Sequence, residues 1–302
     1  MKWIKCQDLP VPMKLAYGTV INDIVYIGGG DCPDYNDEYY VFAYNLRENK
    51  WTKLPAALPQ CCGVVVNIND VVTVIGGRDY NTSVATNKVL TLEEDKWTTL
   101  YGDMKCARNR PLVVPYRQYT IVAGGQDEDG VVQDSIEYFN TNTNQWTKTK
   151  TCLPKPMWNI SATTCNNSII TTGYNGTGNN RYNTTYITTI DSIVQSHDDN
   201  NKWSELHHTP YWYTTIVPHT TPPVIVGGQD GQGKTQDNIM LYDDTSNSWR
   251  TVGSLPIRCT QTTVVTINNN IIIVGGCSDV RNNETARATS LSSVMIGQLD
   301  RV

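Results

Sequence analysis

The stretch VVTVIGG (71–77), followed by KVLTLEEDKW (88–97), decides how this chain folds. It reads as an apolar strand closing on two glycines, a second strand, a short polar turn and a tryptophan. The same pattern recurs along all 302 residues. Its glycine pairs are Gly28-Gly29, Gly76-Gly77, Gly124-Gly125, Gly227-Gly228 and Gly275-Gly276, with a worn copy at Gly173-Tyr174. The steps between them are 48, 48, 49, 54 and 48 residues. Trp3, Trp51, Trp97, Trp146, Trp203 and Trp249 keep the same beat. A single four-stranded sheet cannot bury both of its faces, so units repeated at this period stack against one another. Six of them are expected to close into a ring.

The residue types fit that ring. Runs such as DIVYIGG (23–29), PVIVGG (223–228) and IIIVGG (271–276) are apolar without strict alternation, as in strands covered on both faces. Paired glycines let the chain turn with positive φ and let other backbone approach. Tyr44, Phe139 and Tyr242 each precede a tryptophan by seven residues. These aromatics are expected to fill the wedges between sheets, each burying roughly 150–250 Å². With 8 Trp and 17 Tyr against 2 Phe, most core aromatics carry a polar handle. Closure is legible too. VMIGQLD (294–300) aligns with IMLYDDT (239–245), which puts Gly297 in the aromatic position and leaves the last unit short of its tryptophan. Trp3 supplies it, so the N-terminal strand is expected to complete the last sheet and remove a dangling edge.

The double glycine, the aromatic, the tryptophan and the period near 50 residues together resemble the kelch repeat, over the whole chain. The resemblance implies an all-β, six-bladed kelch β-propeller of four-stranded antiparallel blades, with residues 1–302 forming one domain. Kelch domains of adaptor proteins usually follow BTB and BACK domains, which this sequence does not contain.

Composition excludes several functions. The net charge of −5 argues against general nucleic-acid binding. No run approaches 18 apolar residues, so no membrane span is expected. No apolar leader-like segment is visible, and nine scattered cysteines suit reduced thiols in a cytoplasmic protein. The sequons at Asn81, Asn159, Asn166, Asn175, Asn183 and Asn283 are read as chance matches in an Asn- and Thr-rich chain. His197, His207, His208 and His219 show no HxH or HExxH spacing, so neither a metal nor any other cofactor is expected.

Kelch propellers bind on the face that carries the blade-joining loops and the loops after the glycine pairs. Fourteen residues before the first glycine lies a slot that often holds arginine in kelch repeats. Its occupants here are Lys14, Cys62, Arg110, Asn159, Tyr213 and Gln261. The positions after the pair form a second ring: Gly30, Arg78, Gln126, Asn175, Gln229 and Cys277. In kelch substrate adaptors of cullin ubiquitin ligases, arginines in these two slots clamp acidic peptides. The resemblance implies that role for Arg78 and Arg110, whose guanidinium forks suit carboxylates. Arg108 is expected to add local positive charge. Across the ring, Met157, Trp158, Tyr211, Trp212 and Tyr213 form an aromatic group of the kind that dominates interface hot spots. Alternation places Tyr211 and Tyr213 on one face and Trp212 on the other. Cys62 reads as a small buried residue.

The expected function is a non-enzymatic recognition module, a monomeric domain that takes a protein or acidic peptide. The partner-binding set is Lys14, Arg78, Arg108, Arg110, Trp158, Asn159, Tyr211, Trp212, Tyr213 and Gln261. The alternatives are a sugar-active kelch enzyme of the mutarotase type and a cytoskeletal, actin-binding propeller.

Overall fold

β-Branched and aromatic residues dominate the strands, and Asn, Asp and Gly hold the turns between them. The computed structural model describes residues 2–30, 39–175, 182–195, 203–279 and 289–298. Six four-stranded antiparallel sheets carry the chain. Blade 1 comprises Tyr17–Ile21, Ile24–Gly28, Phe42–Asn45 and Lys50–Lys53. Blade 2 comprises Val64–Ile68, Val71–Ile75, Val89–Glu93 and Lys96–Thr98. Blade 3 comprises Leu112–Tyr116, Tyr119–Ala123, Ser135–Asn140 and Gln145–Cys152. Blade 4 comprises Trp158–Cys165, Ser168–Asn175, Tyr182–Thr189 and Ser204–Leu206. Blade 5 comprises Thr215–Ile216, Val224–Val226, Asn238–Asp243 and Ser248–Ser254. Blade 6 comprises Thr263–Ile267, Asn270–Val274, Val294–Gln298 and, from the other end of the chain, Trp3–Lys5. Each innermost strand touches the next, and the first strand of blade 6 touches that of blade 1. The molecule is a closed six-bladed propeller.

The core is divided among the wedges. Each junction between neighbouring blades holds its own apolar cluster of described residues. The repeated tryptophans staple these junctions. The indole N–H of Trp3, Trp51, Trp97, Trp146 and Trp249 donates to the carbonyls of Ser254, Gln7, Ala56, Tyr101 and His207, at 3.0–3.1 Å. Each acceptor lies at, or within three residues beyond, the end of the preceding blade's outer strand. Tyr44, Phe139 and Tyr242 stack on Trp51, Trp146 and Trp249 at 4.8–5.3 Å between centroids. The polar handles are used as well: Tyr44 Oη donates to Asn49 Oδ1.

Glycine serves the opposite junction. Gly76 and Gly124 take φ of +63° and +64°, and a Cβ on either would run into the carbonyl of Arg108 or Met157 in the segment leading to the next blade. The amides of Gly77 and Gly125 donate to those same carbonyls. Apart from blade 4, the repeats are thus tied backward by their tryptophan and forward by their glycines.

The N-terminal strand pairs with the last strand through Trp3 with Gly297, Ile4 with Ile296 and Lys5 with Met295. A Cβ on Gly297 would lie 2.7–2.9 Å from three atoms of the Trp3 ring, so the indole lies flat over the missing side chain. Gly297→Ala should lift Trp3 off its carbonyl acceptor and cost about 1–3 kcal/mol. Thermal melting checks this, and an unchanged midpoint with unchanged Trp3 burial would contradict it.

Two blades depart from the sequence reading. In blade 1 the pair in use is Gly29-Gly30, because Tyr17 pairs with Gly28 as Val64 does with Ile75. Gly29, with φ of +74°, takes the place of Gly76. In blade 4 the stretch YNGTGNNRYNTTY (174–186), whose Gly and Asn read as loop, is sheet at residues 174–175 and 182–186. Strand pairing runs unbroken through Gly173 with Thr184 to Asn175 with Tyr182, since no second glycine turns the chain. A short helix, Ile190–Val194, then follows with Thr189 as its N-cap. Its Ile190 and Ile193 fill the wedge between blades 3 and 4. Within the polar tract QSHDDNNKW (195–203), which reads as loop, residues 196–202, His197 among them, lie outside the described residues, as does Asn283.

Candidate partner-binding face

The blade-joining segments build a ring at the channel mouth. In each, one non-glycine residue adopts left-handed backbone: Leu15, Cys62, Arg110, Asn159, Tyr213 and Gln261, with φ between 52° and 58°. Main-chain bonds link these positions around the ring. Leu15 N donates to Gln261 O, Gln261 N to Tyr213 O and Arg110 N to Cys62 O, at 3.0–3.5 Å. The shifted glycine register of blade 1 therefore makes Leu15, not Lys14, the member of this ring. Lys14 belongs to the column one residue earlier, with Cys61, Asn109, Trp158, Trp212 and Thr260. Burial pushes the thiol of Cys277, in blade 6, up against the opposing charge of Lys14. By the same shift, residue 31, not Gly30, begins the loop after the pair, and it lies outside the described residues.

Arg78 and Arg110 both lie beside the Cys61–Cys62 step that leads into blade 2. Arg78 pairs through its backbone with Cys61, and Arg110 Nη2 stands 3.5 Å from Cys62 Sγ. Both arginines are half-buried, whereas Cys62 is buried. Asp79, the carboxylate next in sequence to Arg78, is engaged in its own turn. Its carboxylate accepts from Asn81 N, Thr82 N and Thr82 Oγ1. The Thr82 and Asn81 donors hold it below the usual carboxylate range against the smaller effect of burial.

Arg108 faces the other way and corrects the sequence reading. It has no exposure. Its Nε is 3.0 Å from Glu137 Oε1, while Nη1 donates to the carbonyls of Gly124 and Ser135 and Nη2 to Ser135 Oγ. Glu137, equally buried, also accepts from Lys105 N. Two residues before the left-handed position the chain enters the wedge, and the other occupants of that column are Met13, Gln60, Met157, Tyr211 and Cys259. Gln60 does the same work one blade earlier, donating to Gly76 O. Arg108 is a junction residue and adds no charge to the face.

The aromatic group is divided by the same geometry. Met157 is fully buried between blades 3 and 4, and Tyr211 packs into the wedge between blades 4 and 5. Tyr213 borders the channel. The expected sharing of one face by Tyr211 and Tyr213 fails because left-handed backbone at Tyr213 breaks strand alternation. Trp158 and Trp212 are half-buried, and Trp212 exchanges main-chain bonds with Gln229.

Below the ring the channel opens into a cavity of about 640 Å³. Asn159, Tyr213 and Gln261 border it from blades 4–6, above Ser161, Thr163, Thr215 and Thr263. Blades 1–3 offer Val64, Val65, Leu112 and Val113 together with Tyr17, Thr19, Asn67 and Asp70. Both sides are mixed, and the hydroxyl-bearing side chains are concentrated on blades 4–6. Asn159 Oδ1 is buried without a hydrogen-bond partner. Gln261 Oε1 is 3.5 Å from Cys277 Sγ. At the far end, His219 Nδ1 lies 3.4 Å from Thr164 Oγ1. Among the described residues no group of three or more His, Cys, Asp or Glu is placed to hold a metal, and no helix is long and apolar enough to cross a membrane.

A feature the sequence reading missed is a self-braced finger after the glycine pair. In blade 3, Asp127 Oδ1 accepts from Asp129 N and Val131 N, and Oδ2 from Gln133 Nε2. In blade 5, Asp230 repeats this with Gln232 N, Lys234 N and Gln236 Nε2. The signal lies in GGQDEDGVVQD (124–134) and GGQDGQGKTQD (227–237), where an Asp and a Gln recur six residues apart. In blade 2 Asp79 braces a related turn through Asn81 N, Thr82 N and Thr82 Oγ1, without the glutamine. Such fingers present their side chains with little ordering left to do on binding.

Comparison with known proteins agrees with this architecture. Residues 16–211 match the family model of the KLHDC2/KLHL20/DRC7 Kelch-repeats domain, and residues 224–256 match the Kelch motif. The chain belongs to the kelch-repeat propeller family. Among curated proteins it is similar to Kelch-like protein 23 of Homo sapiens, 22% identical over 265 residues that make up 84% of this chain and 44% of that protein. It is also similar to Alpha-scruin of Limulus polyphemus, 26% identical over 165 residues, 51% of this chain and 15% of that protein. The chain thus spans less than half the length of these relatives. The solved structure described as "Structure of YjhT" superposes with a TM-score of 0.75 at 17% identity, covering 98% of both chains. At that identity the likeness speaks for the fold.

Proposed function

We propose that this propeller is a recognition module that takes an acidic segment of a partner protein on the face holding Arg78 and Arg110. The observation that carries this reading is that both lie half-buried beside the Cys61–Cys62 step leading into blade 2, while the adjacent Asp79 is spent on its own turn. Guanidinium groups so held pair bidentately with carboxylates and steer an acidic chain toward the mouth. Tyr213, Asn159 and Gln261 complete the rim, with Trp158, Trp212 and Lys14 one residue outside it. Selection from a displayed random peptide library tests the reading. An acidic motif should be enriched on the native protein and not on Arg78→Glu/Arg110→Glu. Equal enrichment on both would refute it.

A second reading rests on the channel. Its hydroxyl-bearing wall and the orphaned Asn159 Oδ1 favour a neutral, polyhydroxylated small molecule such as a sugar. Thermal-shift screening against a panel of monosaccharides should then find a stabilising ligand whose effect is lost in Asn159→Leu. A flat panel would remove this reading.

A further inference from the structure

The channel carries one fixed charge, and among the described residues nothing neutralises it. Of the side chains that border the cavity, none belongs to Lys, Arg or Glu; Asp70 is the one carboxylate and His219 the one imidazole. Asp70 lies in the two-residue turn that follows the innermost strand of blade 2. The innermost strands run from the ring of left-handed residues to these turns, so Asp70 stands at the far end of the channel. Asn67 and Asn69 border the cavity beside it.

The turn itself does not need the charge. Asn69 and Asp70 take φ of +51° and +61°, and blade 6 makes the same turn with Asn268 and Asn269 at +47° and +64°. Blade 1 has Asn22-Asp23 there, with the Asp23 carboxylate 3.0 Å from Arg47 Nη2. Asp70 has no ion pair among the described residues, and Asn67 Nδ2 donates to it at 3.5 Å. Arg117, the cation among these turns, lies over the Tyr116 ring and does not border the cavity. Opposite blade 2 in the ring of six stands blade 5, where residues 217–223 replace the two-residue turn. Thr220 Oγ1 braces this loop by donating to Val217 O and accepting from Val224 N, and His219 N donates to Thr163 Oγ1 of blade 4. The loop thereby brings His219 to the channel wall. Nearer the ring, Asn159 Oδ1 is buried without a partner. Asp70 and Asn159 both offer acceptors, so the channel calls for a ligand rich in donors, and its charge calls for a cation.

We propose that the channel takes a polyhydroxylated amine, a sugar or polyol bearing a protonated amino group, with its ammonium at Asp70. This rests on the second reading's site and hydroxylated frame, and adds a charged amino group where that reading has a neutral ligand. A cavity of about 640 Å³ is of the size that holds small molecules. A carboxylate at the end of a cleft draws cations and turns anions away more strongly than one on an open surface. Its hydrogen bonds to an ammonium are charge-assisted, whereas those to a neutral hydroxyl are not. Asp70 is exposed, so the preference for an amine over a hydroxyl is set at about fivefold rather than the larger factor of a buried pair.

The probes are the gluco, galacto and manno hexoses, each as the parent sugar, the 2-amino-2-deoxy sugar and the uronate, in a buffer that keeps the amines protonated. Thermal shift and titration calorimetry are run on the native protein, on Asp70→Asn and on Asp23→Asn. Asp70→Asn copies the turn that blade 6 makes with asparagine at both positions, so its folding has a precedent in the molecule. Asp23→Asn removes a carboxylate of the same face that does not border the channel. On the native protein at least one amino sugar should bind about fivefold more tightly than its parent, and the matching uronate more weakly than either. Asp70→Asn should erase that preference and leave the parent sugar's affinity unchanged, while Asp23→Asn should keep the preference. Parent sugars that bind as tightly as their amines, a preference that survives Asp70→Asn, or an equal loss in Asp23→Asn would overturn the amine and leave the channel reading intact. Binding of none of these compounds to the native protein would overturn both.

Discussion

Arg108→Ala should destabilise the propeller by about 3–5 kcal/mol, the cost of leaving a buried carboxylate without its partner. Glu137 has no exposure, and without Arg108 it keeps the Lys105 amide as a donor. The carbonyls of Gly124 and Ser135 lose donors in the same step. Both belong to blade 3, so the loss falls on the junction between the segment that leaves blade 2 and the sheet that follows. Glu137→Ala should cost a similar amount for the converse reason. A double replacement by apolar residues of similar volume, Arg108→Met/Glu137→Leu, should be less destabilising than either single change, because it removes both charges together. Chemical denaturation of the native protein, Arg108→Met, Glu137→Leu and Arg108→Met/Glu137→Leu closes the cycle. Additive losses would mean that the two side chains do not act as a pair. At conditions where the variants remain folded, peptide binding should be unaffected, since Arg108 does not reach the surface.

The second large effect is expected at Trp146. Trp146→Ala should cost about 3–5 kcal/mol, as for a large aromatic removed from a packed site. The ring is 7% exposed, lies 5.3 Å from Phe139 and closes the wedge that holds Tyr101, Met104 and Val122. Its indole N–H is bonded to Tyr101 O, so truncation also orphans a buried carbonyl. Trp146→Phe keeps most of the packing and loses the bond, and should fall between the native protein and the alanine variant. Trp97→Ala, at a half-buried position, should cost less than Trp146→Ala. Melting and denaturant titration give the ranking. An effect below about 0.5 kcal/mol at Trp146 would place it at the surface and contradict the wedge assignment.

The repeat was the most legible part of the sequence because each of its residues answers a constraint imposed by a neighbouring blade. Tryptophan must reach a carbonyl of the preceding blade, and glycine must admit a carbonyl from the next. The run Gly28-Gly29-Gly30 shows where counting ends: three glycines satisfy the pattern in two registers, and only the strand pairing of Tyr17 chooses between them. That choice moved Leu15 into the ring and Lys14 out of it. Arg108 was misread because charge was weighed without its column. The five residues aligned with it, Met13, Gln60, Met157, Tyr211 and Cys259, are mostly apolar and already mark a buried position. The helix at Ile190–Val194 has a signal in its Thr189 cap and in the spacing of Ile190 and Ile193, but five residues are too few for periodicity to stand out. The convergence of Arg110 on Cys62 depends on left-handed backbone at both positions, which no propensity assigns to Arg or Cys.

The central claim is that Arg78 and Arg110 read carboxylates on a partner chain. Fluorescence anisotropy with the acidic peptide enriched by display tests it most directly, on the native protein and on Arg78→Glu/Arg110→Glu with matched melting temperatures. Removing two charge-assisted hydrogen-bonding groups together corresponds to a weakening of at least about a hundredfold, and native binding should fall as salt rises. Equal affinity for the two proteins, or native binding indifferent to salt, would contradict the claim.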